Sequence, residues 1–187
     1  MLTAFIDFKA PASYLALMPT LELLAEKGTD VSWRPFRCWE RPLPSQVADE
    51  TVSANHRLTR LRSLREIHEH YAKLRGLTMR WREESGSTDL ALGLLALWPG
   101  DPLRFVEACY RAYWSDGADL NCANTVHAIA GVSGWSDAYP QSGEVCAALD
   151  QAQREGEERG VVDAPAFIVG EQLVVGREHM PWLRERL

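Results

Sequence analysis

The sequence predicts an α/β protein whose small sheet is interrupted by a long all-helical stretch. Three observations predict it. An apolar strand near the start breaks at a proline straight into an apolar helix. From about Ser45 to Tyr139 the periodicity is helical, with no strand pattern. The chain then closes on a hairpin pattern and a last helix.

Taken in order, Thr3 to Phe8 carries apolar residues on both faces, as a central strand does. Pro11 suits a first helical position, because its missing N–H is unsatisfied there anyway and its φ is already helical. The helix from Pro11 to about Lys27 places Tyr14, Leu17, Leu21 and Leu24 at helical spacing and stops at Gly28, a natural left-handed terminator. Pro19 inside it predicts a kink. Val31 to Phe36 alternates as a second strand, edge-like or ending by Pro35. Pro42 and Pro44 bracket an aperiodic loop. Beyond it, Leu58, Leu61, Leu64, Ile67, Tyr71 and Leu74 are expected to form one apolar helical stripe, with arginines on the other face and Gly76 at its end. Further helices are expected over Leu90 to Trp98, Pro102 to Trp114 and Cys122 to Ala130. Ser142 to Arg159 reads as a helix capped by Ser142 and closed by Gly160. Ala166 to Val169, a Gly170-Glu171 turn and Leu173 to Val175 form a hairpin, and the last helix starts at about Glu178. The order β-α-β, helical stretch, α-β-β-α is that of a thioredoxin-like core over residues 1–44 and 140–187, holding an all-α lobe over 45–139.

With 187 residues, 46% of them hydrophobic, the chain can bury one good core with an inserted lobe. A net charge of -6 offers no basic surface for phosphate backbones, so nucleic acid is not an expected partner. The first apolar run lacks a basic leader and a small-residue cleavage site, and no run reaches membrane-spanning length, so a cytoplasmic protein is expected. Cys38, Cys109, Cys122 and Cys146 are scattered without metal or C-x-x-C spacing, which favours reduced structural thiols and no metal. The histidines of His68-Glu69-His70 fall on different helix faces, and no phosphate-binding glycine motif is present. Trp33, Trp39, Trp81, Trp98 and Trp114 are core candidates, one or two of them walling an aromatic pocket.

The turn after the first strand carries the chemistry. The amides of Ala12, Ser13 and Tyr14 point out of a helix start, which with the macrodipole favours an anion, thiolate or carboxylate. Ser13 holds the turn's hydroxyl, either satisfying backbone amides or acting catalytically. Lys9 either reaches the ligand or extends to water.

Four segments in register carry a resemblance: Phe5 to Leu15, Tyr71 to Leu77, Asp163 to Phe167 and Gly176 to His179. Together they resemble the 2-hydroxychromene-2-carboxylate isomerase group, which sits with kappa-class glutathione transferases in the DsbA-like thioredoxin superfamily. The resemblance implies glutathione as cofactor, a small aromatic or unsaturated carboxylate as substrate, isomerase or transferase chemistry, and a homodimer. In that family the turn reads Ser-Pro-aromatic-Ser or Ser-Pro-aromatic-Ala, and its first serine hydrogen-bonds the glutathione sulfur. Here Ala10 stands there, followed by Pro11. Ala164-Pro165 matches the family's cis-proline loop, whose main chain pairs with a peptide-like ligand. Arg177 and Glu178 match the turn that places an acid against the γ-glutamyl amine. Arg60 matches a lysine facing the glycyl end or an acidic substrate, although Ser63 replaces the tyrosine three residues on. Because of Ala10, a catalytically altered binding protein or a glutathione-independent enzyme is the alternative. Both active-turn cysteines of DsbA itself are absent, which disfavours thiol–disulfide exchange.

Overall fold

The computed structural model describes residues 1–39, 52–82 and 86–187. Strands β1 (Leu2–Ile6), β2 (Val31–Pro35), β3 (Ala166–Val169) and β4 (Gln172–Val175) form one mixed sheet in the order β2-β1-β3-β4. β1 runs parallel to β2, as the β-α-β order requires, and antiparallel to β3; β3 and β4 make the expected hairpin across Gly170 at φ 60°. β1 is thus interior, and Leu2, Ala4, Phe5 and Ile6 are all buried, whereas β2, ending on Pro35, lies at an edge.

Helix α1 (Pro11–Lys27) begins and ends where its proline and glycine direct, with Gly28 left-handed at φ 59° and its N–H returned to the Leu24 carbonyl. Pro19 sits within this single helical span. Helix α2 (Val52–Leu74) stands in a compact unit of its own, Trp39–Met79; Met1–Cys38 and Arg80–Leu187 make the other. Along α2 the expected single stripe does not form. Residues three apart drift by about 60° per step on a helix of 3.6 residues per turn, so Leu58 and Leu74 lie on well-separated faces. Leu61, Leu64, Ile67, Tyr71 and Leu74 are 39–67% exposed. Trp39, expected in the core, is 77% exposed.

The larger unit includes the helices α3 (Asp89–Ala96), α4 (Leu103–Arg111), α5 (Ala123–Ser133), α6 (Ser142–Glu158) and α7 (Met180–Arg186). All regular structure described between Ser45 and Tyr139 is helical. That change of periodicity and the division into compact units are different boundaries, because α3 packs on α6 and β2. Gly93 makes the α3–α6 approach possible: a Cβ there would stand 2.3 Å from Val145 Cγ1 and 2.6 Å from its carbonyl oxygen. α6 lies against the sheet through Gly156, where an added Cβ would meet the Phe36 ring at 2.9 Å. Phe5, Phe36, Val161, Ala164, Ala166 and Ile168 form the core cluster beneath it.

Three local expectations are corrected. The cap of α6 is Gln141, not Ser142: the Gln141 side chain and Glu144 exchange bonds across a capping box. The helix expected to reach Trp114 stays α-helical to Arg111 and widens into a π-turn over Ala112–Asp116. The last helix is preceded by a 3-10 turn, Arg177–His179. Among the described residues no helix is long and apolar enough to cross a membrane.

Candidate functional site

β1 ends at Ile6 and α1 starts at Pro11, and the intervening residues fold back with the Ala10 N–H on the Asp7 carbonyl at 3.2 Å. Ala10, extended at φ -76° and ψ 117°, is the N-cap of α1 and carries no side-chain oxygen, so no side chain caps this helix start.

Asp7 lies directly below, fully buried. Its Oδ2 accepts the Cys38 N–H at 2.8 Å, and its Oδ1 accepts the Lys9 N–H and the Thr88 hydroxyl, both at 3.2 Å. Burial pushes its pKa from 3.8 to about 6, outweighing those bonds and the nearby Lys9 charge. Thr88 is the N-cap residue of α3, yet its hydroxyl is given to Asp7 rather than to its own helix.

Ser13 faces the same interior and is 1% exposed. Its Oγ accepts the Asp7 N–H at 3.5 Å and is paired with the Tyr110 hydroxyl, which also lies 3.5 Å from the Asp7 carbonyl. Burial drives the Tyr110 phenol well above its ordinary pKa, so it is a neutral hydrogen-bonding group. Next to it, Trp114 donates Nε1–H to the Phe8 carbonyl at 2.9 Å and stacks on Tyr14, with centroids 5.8 Å apart and planes 6° apart. α4 and the π-turn therefore supply the packing behind the turn that precedes α1. The π-turn leaves the Trp114 carbonyl to the Arg80 N–H at 2.7 Å.

Facing Asp7 across Cys38 is the loop before β3, where the Ala164–Pro165 peptide is cis. The Cys38 thiol stands 4.0 Å from the Ala164 carbonyl oxygen, so this one residue reaches from Asp7 to the proline loop. Its thiol is held strongly protonated by burial and by the charges of Asp7 and Asp163. The Ala164 N–H donates to Asp163 Oδ1 at 2.8 Å. The Pro165 carbonyl accepts the Gly176 N–H at 2.8 Å, which joins the loop to the turn bearing Arg177 and Glu178. Gly176 has φ 98°, and the Glu178 carboxylate curls back until a Cβ on Gly176 would lie 2.7 Å from it.

Of the residues singled out from sequence, Lys9, Ala10, Pro11, Ser13, Ala164 and Pro165 thus belong to one neighbourhood, with Arg177 and Glu178 tied to it through Gly176. Ser13 looks inward rather than toward a ligand. Arg60 is exposed on α2, in the other compact unit. Asp7, Cys38, Thr88, Tyr110 and Asp163 are not among the site residues that the sequence points to, and Trp114 is among them only as one of five tryptophans that are core candidates or pocket walls. Asp7 carried a signal, an acid closing a strand that is apolar on both faces. Among the described residues no group of histidines, cysteines and carboxylates could hold a metal ion.

The family model described as a DSBA-like thioredoxin domain matches residues 1–187. No curated protein matches the chain. Among solved structures, a 2-hydroxychromene-2-carboxylate isomerase is similar at 17% identity and TM-score 0.72, covering 98% of this chain and 92% of that one. A probable DsbA oxidoreductase from Streptomyces coelicolor is similar at 18% identity and TM-score 0.67, with coverages of 98% and 86%. The cytosolic disulfide reductase DsbM from Pseudomonas aeruginosa, solved with GSH, is similar at 16% identity and TM-score 0.56, with coverages of 93% and 88%. At these identities the likeness is one of fold.

Proposed function

From the premise that the chain belongs to the DsbA-like thioredoxin family, we propose that it is a glutathione-assisted isomerase or transferase acting on a small aromatic or unsaturated carboxylate. The observation that carries this reading is the pairing of a turn without any cysteine, Ala10 to Ser13, with a cis-proline loop at Ala164-Pro165 that Cys38 links to Asp7 below that turn. A dithiol reaction has no dithiol to use there, whereas a bound thiol can supply its own sulfur. A DsbA-like neighbour solved with GSH and an isomerase neighbour are consistent with it.

In this reading the amides of Ala12 and Ser13 face the glutathione sulfur, whereas the Tyr14 N–H, expected to join them, is held by the Ala10 carbonyl at 3.1 Å. The Ala164 main chain, once its present partners give way, pairs with the cysteinyl residue, and Glu178 faces the γ-glutamyl amine. Arg177 meets a carboxylate of ligand or substrate, and Lys9 adds positive potential at the turn. Ser13 acts through position, holding the turn onto Asp7 and Tyr110. The sulfur's electron pair adds to the β-carbon of the conjugated acid, and the displaced π pair moves onto the carbonyl oxygen. The bond, now single, rotates; the pair returns and expels the sulfur, so glutathione is recovered. The same reading makes the protein a cytoplasmic homodimer.

Calorimetry with reduced glutathione tests the proposal, and Ala10→Ser sharpens it. Restoring a hydroxyl at the sulfur adds a hydrogen bond to a charged acceptor, about 1.5–3 kcal/mol, and lowers the bound thiol's pKa by roughly one to two units. If neither protein binds glutathione, the reading is wrong. A second reading, a binding protein or a glutathione-independent enzyme, draws on Asp7 and Asp163, whose charges disfavour a sulfur anion near Cys38. Turnover of an unsaturated carboxylate without glutathione would decide for the enzyme form of that alternative.

A further inference from the structure

We propose that Asp163 and Cys38 determine what the proline loop accepts, because they already occupy the main-chain donor and acceptor of Ala164 that an extended ligand would take. The inference deepens the glutathione reading and rests on it for the ligand. Pro165 has no N–H and its carbonyl is held by Gly176, so Ala164 is the nearest main-chain pair that this loop offers. Asp163 Oδ1 accepts the Ala164 N–H at 2.8 Å, where a ligand carbonyl would stand. The Cys38 thiol approaches the Ala164 carbonyl at 4.0 Å, where a ligand N–H would stand, and is hydrogen-bonded to Asp163 as well.

The two stand-ins differ in how firmly they are held. Cys38 is anchored by its own N–H on the buried Asp7 carboxylate at 2.8 Å. Asp163 is exposed, and its carboxylate is restored to water when it leaves. A ligand therefore binds by displacing Asp163 first, and it must bring both a carbonyl and an N–H to replace what it removes. An extended peptide amide brings both. A simple carboxylate brings no donor and meets the charge of Asp163, so the loop selects a peptide segment that is uncharged at this point.

The experiment compares the full-length protein with Asp163→Ala and Asp163→Asn, titrating each with reduced glutathione and with S-methylglutathione, which keeps the peptide but forms no thiolate. Asp163→Ala is expected to tighten both ligands about tenfold. Asp163→Asn, which keeps an acceptor oxygen, is expected to stay near wild type for both. Unchanged affinity in Asp163→Ala overturns the proposal. So does a gain shared equally by both variants and confined to reduced glutathione, which would assign the effect to repulsion of a thiolate. If no form of the protein binds either ligand, the glutathione reading itself fails. The closure of Cys38 is then judged by its rate of alkylation with iodoacetamide, resolved by peptide mass spectrometry with exposed Cys146 as internal reference. A several-fold faster reaction at Cys38 in Asp163→Ala upholds the contact, and an unchanged rate overturns it.

Discussion

Asp7→Asn tests how the buried carboxyl is held. The folded protein raises the Asp7 pKa from 3.8 to about 6, so the native state binds this proton more tightly than the unfolded chain does. The stability linked to it is therefore fully present below the unfolded value and is lost as pH rises from about 4 to about 6. A shift of about two units corresponds to ~3 kcal/mol, all of it lost by pH 7. Asparagine is neutral throughout and removes this dependence. Its oxygen can keep the Cys38 N–H and its amide can donate to Thr88, but the Lys9 N–H then loses its acceptor, at a cost of about 1 kcal/mol. The variant should accordingly be about 1 kcal/mol less stable than wild type at pH 4 and about 2 kcal/mol more stable at pH 7. Urea unfolding followed by tryptophan fluorescence at pH 4, 5, 6 and 7 measures both proteins, and titrations common to them cancel in the difference. Parallel pH profiles would refute the account of Asp7 as a desolvated carboxyl.

Trp114→Phe keeps a ring against Tyr14 but leaves the buried Phe8 carbonyl without its donor. It should lower stability by about 1–3 kcal/mol and speed amide exchange at Lys9 and Ala10 more than in the sheet; uniform acceleration would deny Trp114 its hold on the turn. Gly93→Ala drives a methyl into the Val145 backbone and should cost about 1–3 kcal/mol or more. Gly143→Ala, also helical but with nothing within 4 Å of the new Cβ, should gain about 0.5–1 kcal/mol; equal thermal shifts for the two would contradict the close α3–α6 crossing.

What the sequence makes legible is what is encoded within a few residues. Pro11 and Gly28 fix both ends of α1, because one needs no N–H and the other takes a left-handed φ. Gly170 fixes the hairpin in the same way. The stripe on α2 shows the limit of counting: apolar residues recur at intervals near a helical turn, yet repeated steps of three carry them around the helix. Gln141 is missed as a cap because glutamine at that position rarely signals one, whereas Ser142 beside it commonly does. The candidate site was half legible. Its turn and its proline loop are contiguous motifs, but Thr88 and Trp114 reach Asp7 and Phe8 across 81 and 106 residues of chain. No periodicity carries a contact of that range.

Those long-range contacts explain why the turn before α1 keeps its place without a cysteine. Asp7 accepts hydrogen bonds from Lys9, Thr88 and Cys38, which belong to the turn, to the start of α3 and to the segment after β2. The carboxyl is thus a common acceptor for all three segments. Removing it would leave buried N–H groups unpaired, which costs more than the bonds themselves return. Ionised Asp7 is therefore both a source of instability at neutral pH and the connector of the site. It also sets a limit on the chemistry above it. The charge that anchors Cys38 opposes a sulfur anion close by, so any thiolate held at the start of α1 must draw its stabilisation from the helix amides and Lys9.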